Sequence, residues 1–553
     1  MSYPHVSSAT GQAGTLKKLF SGTAILSLSA VISKIIGLVY KIPLIGYVGV
    51  SGMAYFLAAN HIYVLLFVIS TAGLPVAVAV LVAETIAKCD LGSVRRIYKT
   101  ALALFLILGL FGSVIMLLGA KIIADMIGIP KAASSIMAIS PAVLMACISG
   151  AIRGYFQGHQ IMIHTAISQV IESIGKLVLG LAGAMYAQSC GMDSSIISAY
   201  AILGITCGVG LSMLYLIIAK KLFDSKNYKH IDSLGDNRTY SVSRLLCLAF
   251  PITVSAAVIS LSGVIDTALI PNCLLSCGFS ETDANILYSC YGNMAVPMFS
   301  LTPSLITPIA MSIVPLISSA QSMGDIKRYN NAVCISVRMT LMFALPAAIG
   351  LVAFSEPILR LIFSSEPSAT GIAASLLSFL APSIIPACLI TTTNAVLQAR
   401  GKAGITIFSM TCGILIKLIS EYLLIRNRSV NIYGAPLSTI LCDITVVGLN
   451  TYFVIKDVHR LKNFYRPVIG NVIAAFASVG ASVLLWRTSD LSSMMGISVM
   501  IPILVAAILY IVFVFLLGAI DREMIEIMFA NKNKNKKRKI SNEQRTENRI
   551  FAG

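Results

Sequence analysis

About fourteen apolar stretches, parted by short polar turns, run through this chain, and most approach or exceed the length that crosses a bilayer. A spanning helix needs about 20 apolar residues, and lipid offers no partner for a bare peptide group, so each stretch must bond its own backbone. The expected fold is therefore an all-α integral membrane protein of about 14 transmembrane helices. Their cores fall near 17–45, 53–82, 97–120, 132–152, 164–187, 195–219, 244–270, 284–318, 330–354, 370–397, 404–425, 433–455, 467–486 and 497–518. Bulk composition agrees: 57% hydrophobic residues, 12% charged and a mean hydropathy of +0.87 describe a chain whose solvent is the bilayer. The first stretch follows Lys17 and Lys18 but runs far past a signal-peptide core and lacks a clear small-residue cleavage site, so it is expected to stay as a helix.

The stretches repeat. Pro75 and Arg95 recur as Pro308 and Arg328 at an offset of 233. Gln157, Thr165, Ser168 and Lys176 recur as Gln398, Thr406, Ser409 and Lys417 at an offset of 241. The AVIS of 30–33 returns at 257–260. Duplicated bundles with parallel halves build carriers whose central site opens alternately to either side. The sequence thus predicts two pseudo-symmetric six-helix lobes plus two extra C-terminal helices. In residues, these are a disordered N-terminus at 1–15, a first lobe at 16–219, a charged linker at 220–243 and a second lobe at 244–456. A helix pair at 457–520 without counterpart and a basic tail at 521–553 complete the chain.

A formal charge of +18 raises the question of nucleic acid, but placement answers it differently. Most Lys and Arg residues fall in alternate loops on the side of the N-terminus, at 88–99, 220–244, 456–466 and 532–539. This positive-inside bias predicts a multi-pass protein of the plasma membrane with both termini cytoplasmic, and the tail's attraction to anionic lipid headgroups accounts for its charge without a nucleic-acid partner. Loops on the other face are short, so any chemistry must happen between helices. Prolines inside the stretches, among them Pro75, Pro251, Pro297, Pro303, Pro308, Pro346, Pro382 and Pro386, either bend helices for a moving carrier or serve static packing. Most of the twelve cysteines lie in apolar segments as small packing residues; Cys273, Cys277 and Cys290 flank one outer loop, where a bridge is an open alternative, and no metal site is expected.

Charges inside the membrane are the candidates for function, because a lysine at the bilayer centre costs about 2.5 to 3.5 kcal/mol on insertion scales. Lys34 and Lys41 lie seven residues apart, close to two helical turns, so both ammonium groups follow one face about 10 Å apart with no carboxylate on that helix. A stripe of two cations suits a diphosphate or another anionic headgroup; snorkelling to the interface is the alternative, and it fits Lys41 better than Lys34. Lys176 and Lys417 each have an acid four residues away, Glu172 and Glu421, and same-helix ion pairs are expected. Arg153 is either an interfacial anchor or a gate. Asp266 either binds a coupling ion or pairs with a lysine across the cavity. Asn60, His61 and Asn293 either offer hydrogen bonds to a substrate or pack.

The strings SKIIGLVYKIP, AGLPVAVAVLVAE and above all RGYFQGHQ leading into TAISQVIE resemble the stage V sporulation protein B group. That group sits within the multidrug/oligosaccharidyl-lipid/polysaccharide exporter superfamily and is similar to MurJ-type lipid II flippases. The resemblance covers nearly the whole chain. It implies an undecaprenyl-diphosphate-linked saccharide as substrate, moved from inner to outer leaflet for cell-wall or spore-cortex synthesis, with membrane lipids and cell-wall synthesis proteins as partners. It also implies that the extra helix pair forms a groove for the lipid tail, and that Lys34 and Lys41 hold the headgroup where the family more often carries arginine. An essential arginine of MurJ-type proteins on the second segment has no equivalent here, where the sole basic residue is His61. No cofactor is expected; a membrane potential supplies about 2.3 kcal/mol per charge per 100 mV, and an ion gradient is the other energy source. A multidrug or cation antiporter of the same superfamily is the alternative, although its usual first-helix carboxylate is replaced here by lysines. A membrane-embedded glycan polymerase is less favoured, because the outer loops are short and poor in carboxylates. No phosphate-cradling glycine loop appears.

Overall fold

In a computed structural model the protein is described for residues 10–87, 91–227, 242–456, 465–488 and 497–518. These residues are almost entirely helical. The first lobe comprises α1 (Thr10–Val48), α2 (Val50–Thr71), α3 (Leu74–Ala87), α4 (Leu91–Met126), α5 (Ala133–Gly158), α6 (Ile163–Ser189) and α7 (Ser194–Asn227). The second comprises α8 (Val242–Ser276), α9 (Glu281–Ser289), α10 (Val296–Ser322), α11 (Ile326–Ile362), α12 (Pro367–Leu380), α13 (Ile384–Ala399), α14 (Ala403–Ile425) and α15 (Gly434–Ile455). The additional pair is α16 (Tyr465–Thr488) and α17 (Met500–Leu516). Two boundaries shift from expectation: residues 10–15 are already helical, and α7 carries the linker's first residues to Asn227. The basic clusters at 457–464 and 532–539 lie outside the described residues.

Twelve of the expected segments hold a helix long and apolar enough to cross a membrane. The eighth is broken between α9 and α10 by a π-helical turn, Cys290–Ala295, and the fourteenth is the 17-residue α17. The protein is a multi-pass membrane protein. Its outward faces show it: Ile107, Leu110, Phe111 and Leu118 of α4 share one face and are exposed, a pattern that lipid stabilises and water would not.

Breaks in the segments sit beside prolines. A proline has no N–H to give and its ring presses on the carbonyl four residues back, so the preceding turn must open. The α2/α3 break at Ala72 and Gly73 precedes Pro75, the π turn precedes Pro297, and the tight turn between α12 and α13 contains Pro382. Within α11, Phe354 leaves helical geometry (φ −114°, ψ 18°) three residues before Pro357. Pro346, for which the sequence leaves a bend and static packing open, passes without interruption.

In each lobe the first helix runs along the fifth segment: α1 along α6, and α8 along α14. The repeat therefore places Lys176 and Lys417 in corresponding seams. The lobes meet where α2 packs on α8 and α9 and where α3 packs on α8. Gly73 is required at that meeting, since a Cβ there would collide with the Ala249 carbonyl of α8. The α16/α17 pair docks on the second lobe through α11.

Candidate functional site

Two polar centres sit at corresponding positions of the repeat, around Lys176 and Lys417, and they differ in charge. In the second lobe, Lys417 is almost fully buried and its Nζ lies 2.6 Å from Asp266 Oδ1 of α8, with 3% and 13% of the two side chains exposed. The same ammonium donates to Ser262 Oγ at 2.9 Å. The expected same-helix pair of Lys417 with Glu421 is therefore corrected: Asp266 is the partner. A spacing of four residues permits a contact, but the neighbouring helix brings its acid closer.

The first lobe corrects the other expected pair. Glu172 does not hold Lys176; its Oε2 accepts from Arg153 Nη2 at 2.9 Å. Arg153 also donates to Ser168 Oγ at 2.9 Å and Ser212 Oγ at 3.1 Å, which ties α5 to α6 and α7. With 14% of its side chain exposed, it is an internal brace rather than an interfacial anchor. Lys176 is left over the Tyr40 ring at 5.3 Å and the Phe56 ring at 6.0 Å, a cation–π setting worth roughly 1 to 2 kcal/mol. Tyr40 in turn donates to the Ala201 carbonyl at 2.9 Å. Lys41 follows Tyr40 and lies within electrostatic reach of Lys176, while Glu172, though bound to Arg153, remains within electrostatic reach of Lys176 from the same helix. Among the described residues neither lysine has an ion-pair partner within 4.0 Å.

The broken symmetry can be traced residue by residue. At the 241 offset, Glu421 corresponds to Gly180, Glu172 to Gly413, and Arg153 to Asn394. Gly180 is small because Tyr40 fills the space: a Cβ there would stand 2.5 Å from the Tyr40 hydroxyl. At the 227 offset of the AVIS strings, Asp266 corresponds to Val39. The second lobe thus has an acid at both positions where the first has an apolar or absent side chain.

The remaining candidates lie between the lobes. His61 Nδ1 is 2.8 Å from Thr267 Oγ1, which also meets the Tyr288 hydroxyl at 2.8 Å, so one hydroxyl links α2, α8 and α9. Asn293, in the π turn, donates to the Met53 carbonyl at 2.9 Å and is fully buried. Lys34 donates to Ser304 of α10. Asn60 is half-buried and makes no side-chain hydrogen bond among the described residues. Arg244 reaches Glu84 at 2.7 Å where α8 and α3 begin and end, and Asn272 donates to the Met126 carbonyl at 3.1 Å at the opposite end, so the lobes are bridged at both faces.

Between those bridges lies a cavity of 260 Å³ lined by His61, Ser262, Asp266, Tyr291, Lys417 and Thr439, among others. Ligand pockets for drug-sized molecules begin near 300 Å³, so in this conformation the cavity is too small for one. His61, Asp266 and Lys417 converge there; Lys34 and Lys41 do not line it. The sequence reading missed Asp443 of α15, whose Oδ2 accepts from Ser383 at 2.6 Å. An aspartate inside an apolar helix was the available signal. Cys273, Cys277 and Cys290 are free thiols, and the described residues contain no cluster of three metal-ligating side chains.

Residues 19–321 match the polysaccharide biosynthesis protein family, and residues 292–423 match the MatE family. The chain is 27% identical over 490 residues to the lipid II flippase MurJ of Bacillus subtilis (strain 168), covering 85% of this chain and 89% of that protein. It is 26% identical over 463 residues to stage V sporulation protein B of the same organism, covering 83% and 88%. Its fold matches a solved lipid II flippase MurJ in an inward closed conformation with a TM-score of 0.66 at 17% identity, covering 92% of this chain and 99% of that one.

Proposed function

This chain belongs to the polysaccharide biosynthesis protein family, and on that premise we propose that it is an alternating-access flippase for an undecaprenyl-diphosphate-linked oligosaccharide. Lipid II is the first candidate, carried from the inner to the outer leaflet of the bacterial plasma membrane for cell-wall or spore-cortex synthesis. One observation carries the reading: Lys41 and Lys176 lie within electrostatic reach of each other in the first lobe, and among the described residues neither has an acid within 4.0 Å, Glu172 being bound to Arg153. Keeping two such cations in a membrane helix bundle is costly, and a diphosphate supplies the missing charge through ammonium-to-phosphate hydrogen bonds. Lys34, which reaches across to Ser304 of the second lobe, exchanges that hydroxyl for the headgroup as the lobes part.

The transport step follows from the bridges. Opening one face requires releasing Arg244 from Glu84, and opening the other requires releasing Asn272 from Met126 and Asn293 from Met53. With the basic loops and both termini in the cytoplasm, a bound anion moves outward down a potential that is negative inside, gaining about 2.3 kcal/mol per uncompensated charge per 100 mV.

Similarity to the lipid II flippase MurJ and to stage V sporulation protein B supports this substrate class. A cation antiporter is the second reading, favoured by the MatE match at 292–423 and by the acids of the second lobe. The cationic first lobe speaks against it. The test measures outward delivery of lipid II in cells depleted of the protein and of redundant carriers, complemented with wild type or Lys34→Ala. Delivery restored by wild type and reduced with the variant is expected. Undiminished delivery after depletion overturns the flippase reading, and full delivery by Lys34→Ala removes that lysine from the headgroup site.

A further inference from the structure

His61 has no role in the diphosphate reading, yet the hydrogen bonds around it fix which of its ring nitrogens is left for a ligand. Thr267 Oγ1 makes three close contacts: the Gly263 carbonyl at 2.7 Å, His61 Nδ1 at 2.8 Å and the Tyr288 hydroxyl at 2.8 Å. A threonine hydroxyl has one hydrogen to give and two lone pairs with which to accept. The carbonyl can only accept, so the Thr267 hydrogen goes to Gly263. The other two contacts are hydrogen bonds only when the Tyr288 O–H and the His61 Nδ1–H both donate to the Thr267 oxygen. Any other assignment for a neutral ring sets at least one pair of acceptors against each other in a buried site, which costs about 1–3 kcal/mol per orphaned group.

A neutral imidazole has a single N–H. With that hydrogen on Nδ1, Nε2 is a bare acceptor, and it meets no donor among the described residues. His61 lines the cavity between the lobes, and the cavity's own donors are engaged elsewhere. Lys417 is committed to Asp266 at 2.6 Å and Ser262 at 2.9 Å, and the Tyr291 and Thr439 hydroxyls meet each other at 3.0 Å. The ring is also held in orientation. It packs against Gly263 of α8, where an added Cβ would stand 3.3 Å from its Cγ and Cδ2. A strut between α2 and α8 needs only Nδ1, so that role leaves Nε2 unexplained.

We propose that His61 is a specificity-determining residue whose Nε2 accepts a hydrogen bond from the saccharide of the substrate, from a hydroxyl or an N-acyl amide. The inference rests on the flippase reading and gives the bound headgroup a direction. Diphosphate oxygens carry no hydrogen at neutral pH, so a diphosphate at Nε2 would bring lone pair against lone pair. It therefore stays with the lysines of the first lobe, and the sugar points towards α2 and α8. A cavity of 260 Å³ admits a part of the headgroup rather than all of it. A carrier lipid without its sugar leaves Nε2 unpaired, which is how a site built around a hydrogen bond rejects the analogue that lacks one.

Two substitutions separate the nitrogens: asparagine offers an N–H near the place of Nδ1 and nothing at Nε2, whereas glutamine reaches the place of Nε2 with an acceptor oxygen. Binding of undecaprenyl-diphospho-N-acetylglucosamine, undecaprenyl diphosphate and undecaprenol is measured on the purified full-length protein as wild type, His61→Asn and His61→Gln, each with a melting curve to verify folding. Wild type is expected to bind the sugar-bearing lipid about tenfold more tightly than undecaprenyl diphosphate, the contribution of about one hydrogen bond. His61→Asn is expected to bind those two alike with undecaprenyl diphosphate unchanged, and His61→Gln to keep part of the preference. No preference for the sugar in wild type, an undiminished preference in His61→Asn, or an equal fall in the binding of both lipids would each overturn the inference, the last by reducing His61 to a strut. Wild type that binds neither diphosphate better than undecaprenol would remove the flippase reading, and the inference with it. Nitrogen-15 NMR of histidine-labelled wild type at pH 8, with the His61 signals assigned by their absence from a variant, is expected to show Nδ1 protonated and Nε2 bare. The Nε2 signal should move with the sugar-bearing lipid and not with undecaprenyl diphosphate; a protonated Nε2 would overturn the inference. The wild-type binding comparison decides the first outcome even if both variants fail to fold.

Discussion

The two lobes share a backbone plan and oppose each other in charge. Lys176 and Lys417 occupy equivalent seams between the first and fifth segments, yet Lys417 is bound to Asp266, whereas Lys176 sits over two aromatic rings, its same-helix acid Glu172 bound instead to Arg153. Three substitutions account for the divergence: Val39 against Asp266, Gly180 against Glu421, and Tyr40 filling the room that Gly180 leaves. Duplication supplies a pair of bodies that can rock, and loss of symmetry gives each its own charge pattern. The first lobe's buried lysines have no acid within 4.0 Å among the described residues, while the second lobe's lysine is held by one.

The sharpest break of this contrast is Asp266→Ala in a Glu421→Gln background, which strands Lys417, at 3% exposure, without an acid. Removing one partner of a buried pair costs about 3–5 kcal/mol, so the melting temperature of the purified protein should fall steeply. Adding Lys417→Met should recover most of the loss, since an apolar side chain of similar volume needs no partner. A loss below about 1 kcal/mol relative to Glu421→Gln alone would mean that Lys417 is satisfied without Asp266. Next comes Arg153→Met, which removes three hydrogen bonds but leaves Glu172 one-third exposed to recover solvent. About 2 kcal/mol is expected from the same melting assay. Lys176→Met is expected to change stability by less than about 1 kcal/mol, because a cation–π contact is exchanged for the release of a repelled charge. A large loss there would show that Lys176 has a structural partner after all. Smallest is Arg244→Gln at the half-exposed pair with Glu84, worth under about 1 kcal/mol in stability. Its effect should instead appear as a changed balance between conformations, read by cross-linking between α3 and α8.

What the chain disclosed in advance depended on the range of the interaction. Membrane segments were legible because each needs only its own composition, and the breaks near Pro75, Pro297 and Pro382 were legible because proline acts on its own helix. The pairing of charges was not, because a four-residue spacing names a neighbour on the same helix and says nothing of Arg153 or Asp266 arriving from another. The sequence offers Asp266 as a lysine partner across the cavity or a coupling-ion ligand, and the seam made by α8 and α14 decides which lysine it meets. Ser262, Ser168 and Ser212, the hydroxyls that finish both centres, carry no sequence signal among so many helix serines. The 260 Å³ size of the cavity belongs to a conformation, which sequence pattern does not encode.

The central claim is that the first lobe's cations recognise a diphosphate. It is tested most directly by measuring binding of undecaprenyl diphosphate and undecaprenol to the purified full-length protein, as wild type and as the Lys41→Gln/Lys176→Gln double variant. Wild type should bind the diphosphate at least about tenfold more tightly than the alcohol, a preference worth about 1.4 kcal/mol, and the double variant should bind the two alike. Equal binding by wild type, or an undiminished preference in the double variant, would contradict the account.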